Sequence, residues 1–169
     1  MTMNSLLHSL SGFYDQIRKG SLSTFTPLLI LFSLRGKPMT LKQHYQFAPM
    51  YNVVMPREQL WMTGRQMGKS FGIVSSSVIK CSVVPFFHTM IVQPRADQIQ
   101  RLNNTVMRPL LEGSPVRKEL ITSTELNKMA LKQFKTGSLM YMDFCFQSPD
   151  RLRGASGLAN IILDEIQDI

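Results

Sequence analysis

At 169 residues, 44% of them hydrophobic and 18% charged, the chain has the length and composition of one globular domain, which excludes a disordered or low-complexity protein. Lys and Arg outnumber Asp and Glu by 19 to 11, and the resulting charge of +8 favours contact with a polyanion through phosphate neutralisation. Cys81 and Cys145 have neither metal-ligand nor redox spacing and read as reduced thiols of an intracellular protein.

No segment reads as membrane-spanning. The most apolar early run, Pro27 to Leu34, is too short and is bounded by Arg35 and Lys37. The N-terminus lacks a signal-peptide layout, because Asp15, Arg18 and Lys19 follow only a weak apolar stretch. Leu6, Leu7, Leu10, Phe13 and Ile17 fall at helical spacing and predict a short amphipathic helix, broken at Gly20-Ser21-Leu22-Ser23. Such a helix either docks a partner or covers the domain's own core.

Thr40 is placed to cap a second short helix that ends before Pro49. Within it, Tyr45 beside Gln46 suits stacking on adenine and reading its edge, since a glutamine amide offers one donor and one acceptor. A surface helix with an incidental glutamine explains the same residues, and His44, with no second ligand nearby, reads as a surface residue. Leu60 to Met62 predicts a short strand. It leads into the loop Thr63, Gly64, Arg65, Gln66, Met67, Gly68, Lys69, Ser70, and a helix-compatible segment follows to Val84. In that order the loop's backbone amides and the helix N-terminus surround phosphates, Lys69 adds a point charge and Ser70 offers a hydroxyl to Mg²⁺. The usual spacing would put glycine at Thr63, so the loop is a variant.

Pro85 stops the helix, and Phe86 to Val92 reads as a second parallel strand. Gln93-Pro94-Arg95 reads as a turn. Ala96 to Glu112 then predicts a helix, with Ile99, Leu102, Val106, Leu110 and Leu111 on one side and Arg95, Arg101 and Arg108 largely on the other; Pro109 bends it or ends it early. The arginines suit a DNA backbone or a solvated face equally. Lys135-Thr136-Gly137-Ser138 reads as a turn between two strands, the second placing Met140, Met142, Phe144 and Phe146 on one apolar face. A polar loop from Ser148 to Gly157 carries Arg151 and Arg153. Asn160 to Leu163 is an apolar strand ending in Asp164 and Glu165, the first suited to hold Mg²⁺ and the second to polarise a water attacking a γ-phosphate. The element order predicts an α/β sheet with crossover helices, with nucleotide at the C-terminal ends of the strands.

Taken together, Thr63 to Ser70, the 135–138 hairpin, Leu152-Arg153-Gly154 and Ile161 to Glu165 resemble the large terminase subunit of tailed bacteriophages, over roughly residues 40–169. In that family the phosphate loop commonly reads Arg-Gln-x-Gly-Lys-Ser/Thr, without the usual first glycine. The resemblance implies a P-loop NTPase of the ASCE type, a parallel sheet with a β-hairpin insertion, whose ATPase drives double-stranded DNA into an empty capsid. It implies ATP and Mg²⁺, with Lys69 and Ser70 on phosphate and metal and Asp164 on the metal. Glu165 becomes the catalytic carboxylate, Arg65 a charge-stabilising finger, and Gln46 an approximate match to the adenine-reading element. It further implies a homo-oligomeric ring on the portal protein, a small terminase subunit as partner, and work in the host cytoplasm. On this reading residues 1–39 are an N-terminal helical or lid segment and 40–169 the ATPase domain. The sheet would be truncated after its Walker B strand and the nuclease domain absent, so that the chain alone should hydrolyse ATP poorly. Asp164-Glu165-Ile166-Gln167-Asp168 also resembles a superfamily-1 helicase motif, and a DNA-binding remnant without catalysis is a third reading.

Overall fold

The sheet is built around a central strand that is hydrogen-bonded along both edges, β3 (His88–Gln93; β1 and β2, below, are a separate pair). The computed structural model describes residues 12–13, 15–34, 36–42, 44–64, 66–114, 130–145 and 157–165. Among them, β1 (Ser33–Leu34) and β2 (Lys37–Pro38) form a small antiparallel pair. With β3, the strands β4 (Leu131–Gln133), β5 (Leu139–Phe144) and β6 (Leu158–Leu163) form a four-stranded sheet in the order β4-β5-β3-β6. Strand β3 is parallel to β5 and to β6, and β4 is antiparallel to β5. Helices complete a mixed α/β fold: α1 (Lys69–Val83), α2 (Ala96–Leu102) and α3 (Arg108–Gly113), and residues 12–13 and 15–18 are also helical.

The residues explain the elements. In β3 everything from Thr89 to Gln93 is buried, the continuous burial of a strand with neighbours on both edges and cover on both faces. In β5, Met140 and Met142 are buried while Leu139 and Tyr141 are half-buried, so the alternation read from the sequence is the packing observed. The turn before it is closed by Gly137 N donating to Phe134 O at 3.0 Å and Phe134 N to Ser138 O at 2.9 Å. Phe146 and the Ser148 to Ser156 part of the polar loop lie outside the described residues, as do Leu6, Leu7 and Leu10 of the first predicted helix.

Helix α1 is buried from Gly72 to Val83 although that stretch holds four serines. Ser75 and Ser76 return their hydroxyls to the carbonyls of Phe71 and Ile73, so burial leaves those two satisfied. A 3₁₀ helix, Tyr45–Tyr51, packs across the start of α1. The contact is close: a Cβ at Gly72 would sit 3.3 Å from Met50 Sδ and 3.4 Å from Phe47 Cγ, so a larger residue there would require those side chains to give by a few tenths of an ångström. Tyr51 then fixes the register through a 2.6 Å hydrogen bond between its hydroxyl and Ser75 Oγ. Burial raises the Tyr51 phenol above its ordinary pKa, against a smaller downward pull from that bond. Phe25, Leu28, Leu29, Phe32 and Met39 join the same core as α1, so the segment before residue 40 packs into the domain.

Three expectations are corrected. Leu60 to Met62 form no strand: Leu60 is 78% and Met62 87% exposed, and no described strand pairs with them. A short apolar run becomes a strand only beside a ladder partner. Thr40 caps no helix; its hydroxyl accepts from Lys42 N at 3.2 Å, and the helix starts at Tyr45 with Pro49 inside it. Pro109 does not end its helix either. The π turn Asn103–Met107 precedes it, with Arg108 N reaching Asn103 O, and the chain stays helical to Gly113. Pro109 falls in the first turn of α3, where a missing N–H is tolerated.

Lys80 is a charged side chain in α1's buried interior. It is buried, its Nζ donates to Met55 Sδ, and desolvation pushes its ammonium down to about 8, with a small opposing pull from Cys81. The unfolded chain holds that proton up to about pH 10.5, so the penalty is full below pH 8 and is relieved as pH rises through that window. Lys80→Met is expected to stabilise the fold by on the order of 1 kcal/mol at pH 7, with a shrinking advantage towards pH 10. Urea denaturation of both chains at the two pH values checks this, and an advantage that grows with pH would contradict it.

Candidate functional site

Two segments far apart in sequence meet at one end of the sheet. Gly68 precedes α1 with φ +84°, a left-handed turn that favours glycine, and Lys69 and Ser70 form the helix's first turn. Gly72 N donates to Gly68 O at 3.0 Å, so the amides of 69 to 71 have no partner within the helix and present its positive end to the loop. On the other side β6 delivers Asp164, whose N donates to Val92 O at 3.0 Å and thereby extends the ladder one residue past the strand. Glu165 follows in the left-handed region, φ +56°, which turns the chain at the strand's end.

Lys69 joins the two. Its Nζ lies 2.8 Å from Asp164 Oδ1 and 3.0 Å from Glu165 Oε1. Burial works against the ammonium, but the hydrogen bonds and charges of both carboxylates outweigh it and raise its pKa above the ordinary lysine value. Asp164 is 3% exposed, and its second oxygen accepts from Gln93 Nε2 at 2.7 Å. Gln93 is thus a site residue that the sequence, read as a turn at this position, does not reveal. The available signal is a polar residue ending a buried strand beside the carboxylate strand, at the strand ends where ligands of such sheets bind.

Thr63 is half-buried with an unpaired Oγ1; Gly64, Gln66 (φ 61°) and Met67 are exposed. Arg65 lies outside the described residues. Gln46 is half-buried on the 3₁₀ helix that packs against α1, and Tyr45 beside it is exposed. His44, expected at the surface, instead sets its ring against Gly68, 3.4 Å from where a Cβ would be. Nothing in the spacing of the sequence announces that contact. Arg95, Arg101 and Arg108 are exposed as expected, Arg108 paired with Glu112 at 2.8 Å.

The donor set fits a nucleotide with Mg²⁺. No group of three His, Cys, Asp or Glu among the described residues is arranged to hold a metal by itself. Mg²⁺, however, needs only one or two protein oxygens when phosphates and water supply the rest. Ser70, half-buried in the first helical turn, and the buried Asp164 carboxylate are oxygens of that kind.

The family model for the phage terminase large subunit gpA, ATPase domain, matches residues 50–169. The chain belongs to this terminase family. No curated protein and no solved structure matches the chain. Membership of the terminase ATPase domain implies ATPase activity and nucleotide binding, suggests a role in phage DNA packaging, and does not favour the helicase alternative. It implies DNA and packaging-complex partners in general. Among the described residues no helix is long and apolar enough to cross a membrane.

In this terminase domain, removing the Gln93 amide leaves a buried carboxylate oxygen without its donor. Gln93→Leu is therefore expected to lower stability by about 1–3 kcal/mol in urea denaturation. A midpoint unchanged from the parent chain would show that the bond contributes nothing.

Proposed function

We propose that the chain is the ATP-driven part of a terminase that packages double-stranded DNA into procapsids, and that its nucleotide site is the junction of Gly68-Lys69-Ser70 with Asp164-Glu165. The observation that carries this reading is the Lys69 bridge to both carboxylates, across 96 residues of sequence. In a site of this kind the lysine would exchange its carboxylate contacts for the β- and γ-phosphates, while the free amides at the start of α1 hold the phosphate chain. Bound Mg²⁺ would neutralise phosphate charge. Ser70 and Asp164 are the residues to hold it.

Glu165 is then the group to orient and polarise the attacking water. Once Lys69 leaves it, its carboxylate is released beside the phosphates. Arg65 is the guanidinium to spread charge on the γ-phosphate, and Gln46 with Tyr45 the pair to read and stack on adenine. Within this reading the fold is a P-loop NTPase of the ASCE type, residues 40–169 form the ATPase domain after an N-terminal segment, and the exposed arginines face the DNA. The working form is a homo-oligomeric ring on the portal protein, with a small terminase subunit, in the host cytoplasm.

Lys69→Ala should lose nucleotide binding in equilibrium titration with a fluorescent ATP analogue, its fold checked by circular dichroism. Glu165→Gln should bind with near-parental affinity and lose turnover by about 10²-fold or more in a single-turnover assay. Parental turnover in the glutamine variant would remove Glu165 from this role.

A further inference from the structure

His44 stands at the head of the 3₁₀ helix with its backbone fixed, its N donating to Leu41 O at 2.9 Å and its carbonyl accepting from Phe47 N at 3.0 Å. Its ring lies over Gly68, with Cε1 3.4 Å and Nδ1 3.5 Å from the position of a Cβ there. An aromatic row extends from it: the ring centroid of Phe47 is 6.3 Å away, and that of Trp61 lies 6.4 Å beyond Phe47. The row thus reaches the phosphate loop at Gly68 through His44 and ends at Trp61, two residues before Thr63 in the chain. Both ends also carry a buried polar atom without a partner, Thr63 Oγ1 and His44 Nδ1. A buried nitrogen left unbonded costs free energy unless another state of the site satisfies it.

We propose that His44 is a positioning residue of the nucleotide site: its place against the left-handed turn at Gly68 sets Nδ1 to take up a hydrogen bond with the loop backbone when a nucleoside triphosphate draws the loop into its loaded form. The inference rests on the nucleotide-site reading above. Lys69 is held by Asp164 and Glu165, and His44 Nδ1 and the loop's Thr63 Oγ1 have no hydrogen-bond partner. Loading would relieve both conditions together, so part of the binding free energy would come from a residue that does not touch the ligand.

Three substitutions separate the ring from the nitrogen. His44→Ala removes both, His44→Phe keeps a ring against Gly68 and Phe47 without Nδ1, and His44→Asn keeps a polar atom near the Nδ1 position. With a fluorescent ATP analogue titrated into the full chain, the alanine and phenylalanine variants should bind about tenfold more weakly than the parent. The asparagine variant should bind within about twofold of the parent, a rescue that a purely structural role for the ring would not produce. Parental affinity in His44→Phe overturns the role of the nitrogen, as does an asparagine variant as weak as the phenylalanine one. A parent chain that binds no nucleotide overturns the nucleotide site itself. Parental binding matched by all three variants overturns the positioning role alone.

Discussion

A single lysine between two carboxylates is the interaction on which the arrangement depends. Asp164 is almost fully buried at the end of a strand, where Lys69 Nζ lies 2.8 Å from Oδ1, Glu165 N donates to the same oxygen at 3.1 Å and Gln93 donates to the other. Removing the lysine would leave that carboxylate without its cation, which is destabilising. The same contact fixes where the start of α1 lies relative to the end of β6. It thereby brings a glycine turn, free helix amides, a lysine, a serine hydroxyl and two carboxylates to one end of the sheet. Each element that meets this constraint is held in turn by packing: β6 by its ladder with β3, and α1 by the glycine contact at Gly72 and the Tyr51–Ser75 hydrogen bond.

The constraint also has a chemical meaning. On the proposed reading, the lysine would be exchanged from carboxylate to phosphate without a net loss of partners. Strain collects around it. Gln66 and Glu165 both occupy the left-handed region that residues with side chains seldom adopt, one in the loop and one at the strand's end. The terminase family match gives this geometry its context, an ATPase domain of a packaging enzyme.

The site's chemistry was legible in the sequence because it is written in residue types. Gly68-Lys69-Ser70 and Asp164-Glu165 read as phosphate and metal handling by residue type alone, and the structure has a helix or strand where apolar runs predicted α1, β3, β5 and β6. What the sequence did not yield depends on partners distant along the chain. Leu60 to Met62 have the composition of a strand, but a strand exists only where another supplies hydrogen bonds. The helix at Tyr45–Tyr51 starts later than Thr40 suggests because Phe47 and Met50 are drawn onto Gly72, a packing term that no capping rule contains. Gln93 and His44 became site residues through the same tertiary logic. One is aligned with Asp164 by strand pairing, the other pressed on Gly68 by the helix that carries it.

The most direct test of this account is the structure of the chain bound to a non-hydrolysable ATP analogue with Mg²⁺. The account predicts Lys69 Nζ on the phosphates, Ser70 and Asp164 on one metal ion, and Glu165 turned towards the γ-phosphate. Nucleotide bound elsewhere, with Lys69 still held between Asp164 and Glu165, would contradict it.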